Sequence, residues 1–105
     1  MSFAFLEPWD MMPLENVSDW IDVLKEFTGV SDPLYGKEIF VSGIHGSKTL
    51  LLIENETDDN YAIVSIEKNH KKKGFVFRTI EIINSEKELN TKIKIDHEKW
   101  LEQFV

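Results

Sequence analysis

Three histidines and two adjacent aspartates are the residues of this chain whose types could do chemistry. His45, His70 and His97 would bind a transition metal if they converged, because imidazole is a common metal ligand. No two of them have the spacing of a metal-binding pair. Asp58 and Asp59 could act as acid and base, but adjacent carboxylates between two strands usually form a turn. We therefore expect no metal, no cofactor and no catalytic centre, and hence a protein that is not an enzyme.

Two short segments resemble phosphate-binding sequences, but neither has the required context. The segment "GIHGSK" (43–48) lacks the spacing of a phosphate-binding loop, and a strand rather than a helix is predicted to follow it. The segment "NHKKKG" (69–74) is a basic cluster confined to one loop, with no interleaved aromatic residue. The first segment is predicted to be an ordinary hairpin turn, and the second a solvated hairpin loop.

The net charge is −7 at pH 7, and the acidic excess lies in the first half of the chain. Residues 1–47 contain eight acidic residues and two lysines, whereas residues 48–105 contain eleven acidic and ten basic residues. The first half would repel a phosphate backbone, so we expect no nucleic-acid binding and a basic protein as the charged partner. There is no cysteine, no secretory pattern and no apolar run of the roughly 20 residues that a membrane helix needs. The sequence predicts a soluble, cytoplasmic protein.

Four carboxylates recur at helical spacing in the segment "ENVSDWIDVLKEF" (15–27). They are separated by four, three and four positions, which places them along one side of a helix. Like charges at this spacing cost a few tenths of a kcal/mol each, so a merely solvated face would more often mix the two signs. With Asp10 and Glu7 upstream, and with Trp9 as an aromatic anchor, they predict an acidic surface for a basic protein. The four residues, termed the acidic row below, are Glu15, Asp19, Asp22 and Glu26.

The elements that must position these residues follow from the apolar pattern. The first 14 residues are predicted to be extended and to pack on the domain, because two prolines discourage a helix. A helix is predicted next, capped by Asn16 or Ser18 and ended by Gly29. Its apolar residues keep the spacing of one buried stripe, which comprises Val17, Trp20, Ile21, Leu24 and Phe27.

The rest of the chain is predicted to form a sheet and a final helix. Four β-branched and aromatic runs predict strands, and the short breaks between them favour antiparallel hairpins. These runs are 37–44, 48–54, 60–67 and 74–83. A helical turn is expected at 84–90, an edge strand at 91–95, and a C-terminal helix that starts at Asp96. We expect one α+β domain of residues 1–105, an antiparallel four- to five-stranded β-meander with an N-terminal and a C-terminal helix covering a face.

The segments "DPLYGKEIFVSGI" and "NYAIVSI" resemble small bacterial proteins that accompany polymorphic toxins. These include the immunity proteins of contact-dependent growth inhibition systems. The resemblance covers about half of the chain, and it implies a toxic effector protein as the partner while transferring no catalytic residue. The matching positions are Pro33, Leu34, Tyr35, Gly36 and Lys37, followed by Tyr61, Ala62, Ile63 and Val64.

The leading hypothesis is an immunity protein that binds and neutralises a cognate toxin, with a basic nuclease as the expected toxin class. Its predicted interface is the acidic row, together with Asp10 and Glu7. Three alternatives stay open: a small ligand-binding or enzymatic domain with a pocket between helix and sheet, a subunit that pairs through a sheet edge, and an acidic mimic of nucleic acid. A concave pocket would favour the first alternative, and a dimer insensitive to salt would favour the second.

Overall fold

A five-stranded antiparallel sheet forms the centre of the molecule, with a helix on each of its two faces. The computed structural model describes residues 5–69 and 74–104. Each strand pairs with its neighbours in chain order, so the predicted α+β meander is confirmed. The strands are β1 (Trp9–Met11), β2 (Ile39–His45), β3 (Leu50–Asn55), β4 (Asn60–Asn69) and β5 (Gly74–Ile83).

Two α-helices complete the fold. They are α1 (Leu14–Phe27), between β1 and β2, and α2 (Glu86–Leu101), which follows β5 and leads into a 3₁₀ turn at Glu102–Phe104. In the described ranges neither helix combines the length and the apolar character needed to cross a membrane.

The predicted apolar stripe of α1 is confirmed. Val17 and Leu24 are buried, and the other three members are half-buried against the same core. Both ends of the helix differ from the prediction: it ends at Phe27 with Thr28 as the C-cap residue, so Gly29 lies beyond its end. It begins at Leu14 directly after Pro13, so Asn16 and Ser18 lie inside it and neither caps it. A proline is tolerated at a helix start because the first amides have no intrahelical acceptor.

The turn between α1 and β2 is fixed by a glycine and an aspartate. Gly36 has a φ of +74°, a left-handed conformation that glycine adopts at little cost. The carboxylate of Asp32 accepts hydrogen bonds from the backbone amide and the hydroxyl of Thr79 on β5, at 2.9 and 2.7 Å. The turn is thereby tied to the outer edge of the sheet.

The single helix α2 occupies the region for which three separate elements were predicted. The edge strand at 91–95 and the helix start at Asp96 are both wrong, and the helical turn at 84–90 is the first part of a longer helix. The hydroxyl of Ser85 accepts a hydrogen bond from the amide of Glu88 at 3.1 Å and so caps the helix. Because Ile93 is buried and Ile95 is 43% exposed, their alternation in sequence reflects a helix rather than a strand.

The fifth strand is β1, inside the segment that was predicted only to be extended. It pairs with β2, with Trp9 opposite His45 and Met11 opposite Gly43. A Cβ at Gly43 would lie 2.6 Å from a ring carbon of Phe5, so this position needs a glycine for the N-terminal segment to pack across β2. Trp9 is only 2% exposed, and the prediction that it anchors a partner at the surface is therefore wrong.

The two helices lie on opposite faces of the sheet, so the prediction that both cover one face is wrong. Successive strand residues point to opposite sides, and β3 is apolar on both. Leu51 and Ile53 pack in the core under α1, whereas Leu52 packs with Leu89 and Ile93 of α2. A strand with two apolar faces needs cover on both of them, and the two helices provide it.

Candidate functional site

The acidic row lies on the outer side of α1. All four of its residues are exposed, and at about 100° per residue they fall within an arc of about 60°. This arc is opposite the buried stripe, so the structure brings the four carboxylates together on one surface. Within the described ranges, none of them forms an ion pair with a basic side chain. The row is a concentration of unpaired negative charge.

Asp10 and Glu7 flank opposite faces of the sheet. Asp10 is exposed on β1 and lies opposite Ile44, whose side chain packs against the core under α1. Asp10 is therefore on the same side of the sheet as the acidic row. Glu7 is also exposed, but its carbonyl oxygen accepts a hydrogen bond from Nδ1 of His97 on α2 at 2.7 Å. The structure places Glu7 beside α2, apart from the acidic row.

An apolar groove adjoins the acidic row between α1 and β5. Trp20, Val23 and Phe75 form its apolar lining, and Asn16 and Asp19 supply its polar lining. Its volume is about 240 Å³. The ring centroids of Trp20 and Phe75 are 6.4 Å apart, and both rings are half-buried. Carboxylates and partly exposed aromatic rings thus share one flank of α1.

A cleft of about 350 Å³ separates the C-terminal half of α2 from the sheet. Trp9, Leu50 and Ile63 line it from the sheet, whereas Asp96 and Trp100 line it from the helix. A cavity of this size falls in the range of small-molecule sites, which is about 300–1,000 Å³. This cleft is the kind of helix–sheet pocket that the ligand-binding alternative requires.

The carboxylate of Asp96 is held at one wall of this cleft by two donors. The indole Nε1 of Trp9 donates a hydrogen bond to Asp96 Oδ2 at 2.8 Å, and Lys92 Nζ lies 3.3 Å from Asp96 Oδ1. The side chain of Asp96 is 16% exposed. Each oxygen of this largely buried carboxylate has a donor, and these two contacts offset the cost of removing it from water.

His45 also lines the cleft, and a turn residue sets its tautomer. The backbone amide of Ser47 donates to His45 Nδ1 at 3.1 Å, so the neutral ring carries its proton on Nε2. The ring packs edge-on against Trp9, with centroids 5.2 Å apart. No cluster of metal-ligating side chains forms in the described part of the chain, and His70 lies outside that part.

The other acidic pair and the glycine-rich segment shape turns. Asp58 pairs with Lys37 at 3.2 Å and accepts a hydrogen bond from Asn55 at 3.0 Å, so it closes the β3–β4 turn. Asp59 has a φ of +56°, which aspartate tolerates in turns. The segment 43–48 ends β2 and enters the hairpin turn to β3, as predicted. Of the basic segment 69–74, residues 70–73 lie outside the described residues.

Tyr61 on β4 lies near several carboxylates on the α2 face. Its hydroxyl donates to Glu86 Oε1 at 3.4 Å. Burial raises the pKa of Tyr61, and the negative charges of Glu86, Glu54 and Asp59 raise it further, because both effects disfavour the phenolate.

Sequence reasoning missed the cleft because it missed α2. Once residues 86–101 are known to be one helix, Lys92, Asp96 and Lys99 stand at spacings of four and three on the side that lines the cleft. The pattern Ser85-x-x-Glu88 is a capping signal that could have revealed this helix.

No protein-family model, curated protein or solved structure matches this chain. The function therefore has to follow from the chemistry of these two surfaces, the acidic row with its groove and the cleft beneath α2.

Proposed function

We propose that this protein is a bacterial immunity protein that binds a cognate toxin through the outer side of α1 and neutralises it in the cytoplasm. The observation that carries the proposal is the acidic row, whose four exposed carboxylates adjoin a groove with partly exposed aromatic rings. The toxin class that this surface fits is a basic nuclease domain.

The composition of this surface is that of a protein interface. Binding energy at interfaces is concentrated in aromatic anchors, here Trp20 and Phe75, while charged residues at the rim steer association. The acidic row also extends along roughly 16 Å of helix, at 1.5 Å per residue. A linear array of carboxylates complements an elongated basic cleft.

A nuclease is the expected toxin because it must hold the phosphates of its substrate and is therefore basic around its active site. Carboxylates on an inhibitor can occupy the positions of those phosphates. The sequence resemblance to proteins that accompany polymorphic toxins points to the same partner class.

The test begins with a partner search in the source bacterium. The protein is used to capture partners, including the product of the gene directly upstream, at low salt and at about 0.5 M salt, where exposed charges are screened beyond a few Å. We expect a basic toxin domain that is retained at low salt and weakened at high salt. Capture of no protein at either salt would refute the proposal.

Association kinetics then locate the interface. The double variant Asp19→Lys, Asp22→Lys should bind the captured toxin about tenfold or more slowly at low salt, with a flatter dependence on salt, because steering attraction becomes repulsion. A matched control, Glu98→Lys with Glu102→Lys, makes the same charge change at exposed positions near the end of the chain. Equal rates for the two variants would exclude α1 as the interface, provided that urea denaturation shows both to be folded.

A further inference from the structure

The inner side of α2 becomes partly polar along its length. Leu89 and Ile93 are buried against the sheet. Beyond them Asp96, Lys99 and Trp100 of α2 and Gln103 of the 3₁₀ turn line the cleft, and Lys99 and Gln103 are exposed to solvent. Asp96 differs from them, because its side chain is only 16% exposed. A largely buried carboxylate at a wall that a purely packing helix would make apolar marks the cleft as a candidate site.

The polar groups of the cleft are partly pre-organised. Asp96 is fixed between Trp9 and Lys92, and Trp9 is itself held in the small core under α2. His45 is fixed by its contact with Trp9 and by the amide of Ser47, which leaves its Nε2–H as a donor. Groups whose positions are already set lose little freedom when a ligand binds.

The charges that line the cleft sum to zero, which decides the class of ligand. Lys92 and Asp96 neutralise each other. Lys99 on α2 and Glu81 on β5 have no charged partner among the described residues. A multiply charged phosphate would be opposed by the remaining carboxylate of Glu81, and a simple cation would be opposed by the remaining ammonium group of Lys99. A small zwitterion can pair with one charge of each sign.

The rest of the lining is apolar. Leu50, Ile63 and Ile80 contribute from the sheet, and Trp100 contributes an indole ring from α2. We propose that the cleft binds a free α-amino acid with an apolar or aromatic side chain. The carboxylate of the ligand pairs with Lys99, and its ammonium group pairs with Glu81. Its side chain packs on the apolar lining of the cleft. This site is on the opposite face of the sheet from the acidic row, so its occupancy does not depend on the proposed toxin interface.

The test is a calorimetric titration of the full chain with L-phenylalanine and L-leucine, followed by two analogues that each lack one charge. 3-Phenylpropionate keeps the carboxylate, and phenethylamine keeps the ammonium group. We expect saturable binding of at least one amino acid, and each one-charge analogue of its side chain should bind about tenfold more weakly because one of the two ion pairs is missing. No saturable binding below about 10 mM, or equal binding of an analogue, would overturn the proposal.

Variants assign the ion pairs. Lys99→Gln and Glu81→Gln should each weaken binding of the amino acid by about tenfold or more. Lys99→Gln should also weaken binding of 3-phenylpropionate but not of phenethylamine, and Glu81→Gln should have the reverse effect. Lys94→Gln and Glu98→Gln, which remove exposed charges from the outer side of α2, are the controls. Equal loss in the controls and the test variants would show that net charge rather than the cleft controls binding, and would overturn the assignment.

Discussion

The two helices cover opposite faces of one sheet, and they differ in what they place against it. Helix α1 packs with an apolar stripe along its whole length and directs its carboxylates outward. Helix α2 packs through Leu89 and Ile93 and then turns polar side chains toward the sheet. The two helices are therefore amphipathic in different ways. The carboxylates of α1 are on the outer surface, whereas polar side chains of α2 line the cleft between helix and sheet.

The hydrophobic cores on the two faces of the sheet differ in size. Among the residues that the structure describes, the cluster under α1 contains eleven buried residues, whereas the cluster under α2 contains six. Since stabilisation is roughly proportional to the apolar area removed from water, about 25 cal/mol per Å², most of the hydrophobic stabilisation lies on the α1 side. The smaller core under α2 contributes less hydrophobic stabilisation, and it leaves room for a cleft beside the helix.

The largest effect is expected from truncation of one buried side chain in each core. Leu24→Ala should lower the free energy of unfolding by about 3 kcal/mol, because Leu24 is 1% exposed and packs in the larger of the two cores. Ile93→Ala should cost less, about 2 kcal/mol, because the helix beside the cleft can settle toward the sheet. Urea denaturation measures both values. A larger loss in the free energy of unfolding for Ile93→Ala than for Leu24→Ala would contradict the inference that the core under α1 contributes more stability.

A smaller effect is expected at the helix starts, where the two helices also differ. Ser85 caps α2, so Ser85→Ala should cost about 1 kcal/mol. Ser18 was predicted to cap α1 but lies in its second turn, exposed to solvent. Ser18→Ala should therefore be neutral or stabilise by a few tenths of a kcal/mol, since alanine is the better helix former. A loss of about 1 kcal/mol at Ser18 would restore the predicted start of α1.

The smallest effect concerns pH on the α2 face. The pKa of Tyr61 is raised in the folded protein, so above the usual tyrosine pKa the folded state holds a proton that the unfolded state has lost. This contribution to the free energy of unfolding is fully present below the pKa of tyrosine in the unfolded chain. It is lost as the pH rises through the higher pKa of Tyr61 in the folded protein. Tyr61→Phe should therefore lose less stability than the parent between about pH 9 and pH 11. Tyr35→Phe, at an exposed tyrosine, is the control, and an equal pH dependence of the two variants would contradict the prediction.

The side of the molecule that carries α1 was largely predictable from sequence. Its apolar stripe keeps one helical period without interruption, and the strands from Ile39 to Ile83 are β-branched runs separated by polar turns. The acidic row needed only the same period to be placed on one surface. Each of these features depends on residues that are close in sequence.

The α2 side was not predictable in the same way. Ile93 and Ile95 alternate with lysines, which is typical of an edge strand, and the side of the helix that lines the cleft mixes Trp100 with charged residues. Strand β1 has three residues and lies between Pro8 and Pro13, so its pairing depends on β2 rather than on its own pattern. The cleft combines residues from both ends of the chain, and no local pattern specifies such a combination.

The hydrogen bond from Trp9 to Asp96 joins residues 87 positions apart. The strands β2 to β5, in contrast, pair only between neighbours in the chain and can form by successive short loop closures. We therefore expect the two ends of the chain to close on a sheet that is already largely assembled. Because β1 and the second half of α2 share this closure, we expect them to open as one cooperative unit, so that loosening one end also releases the other.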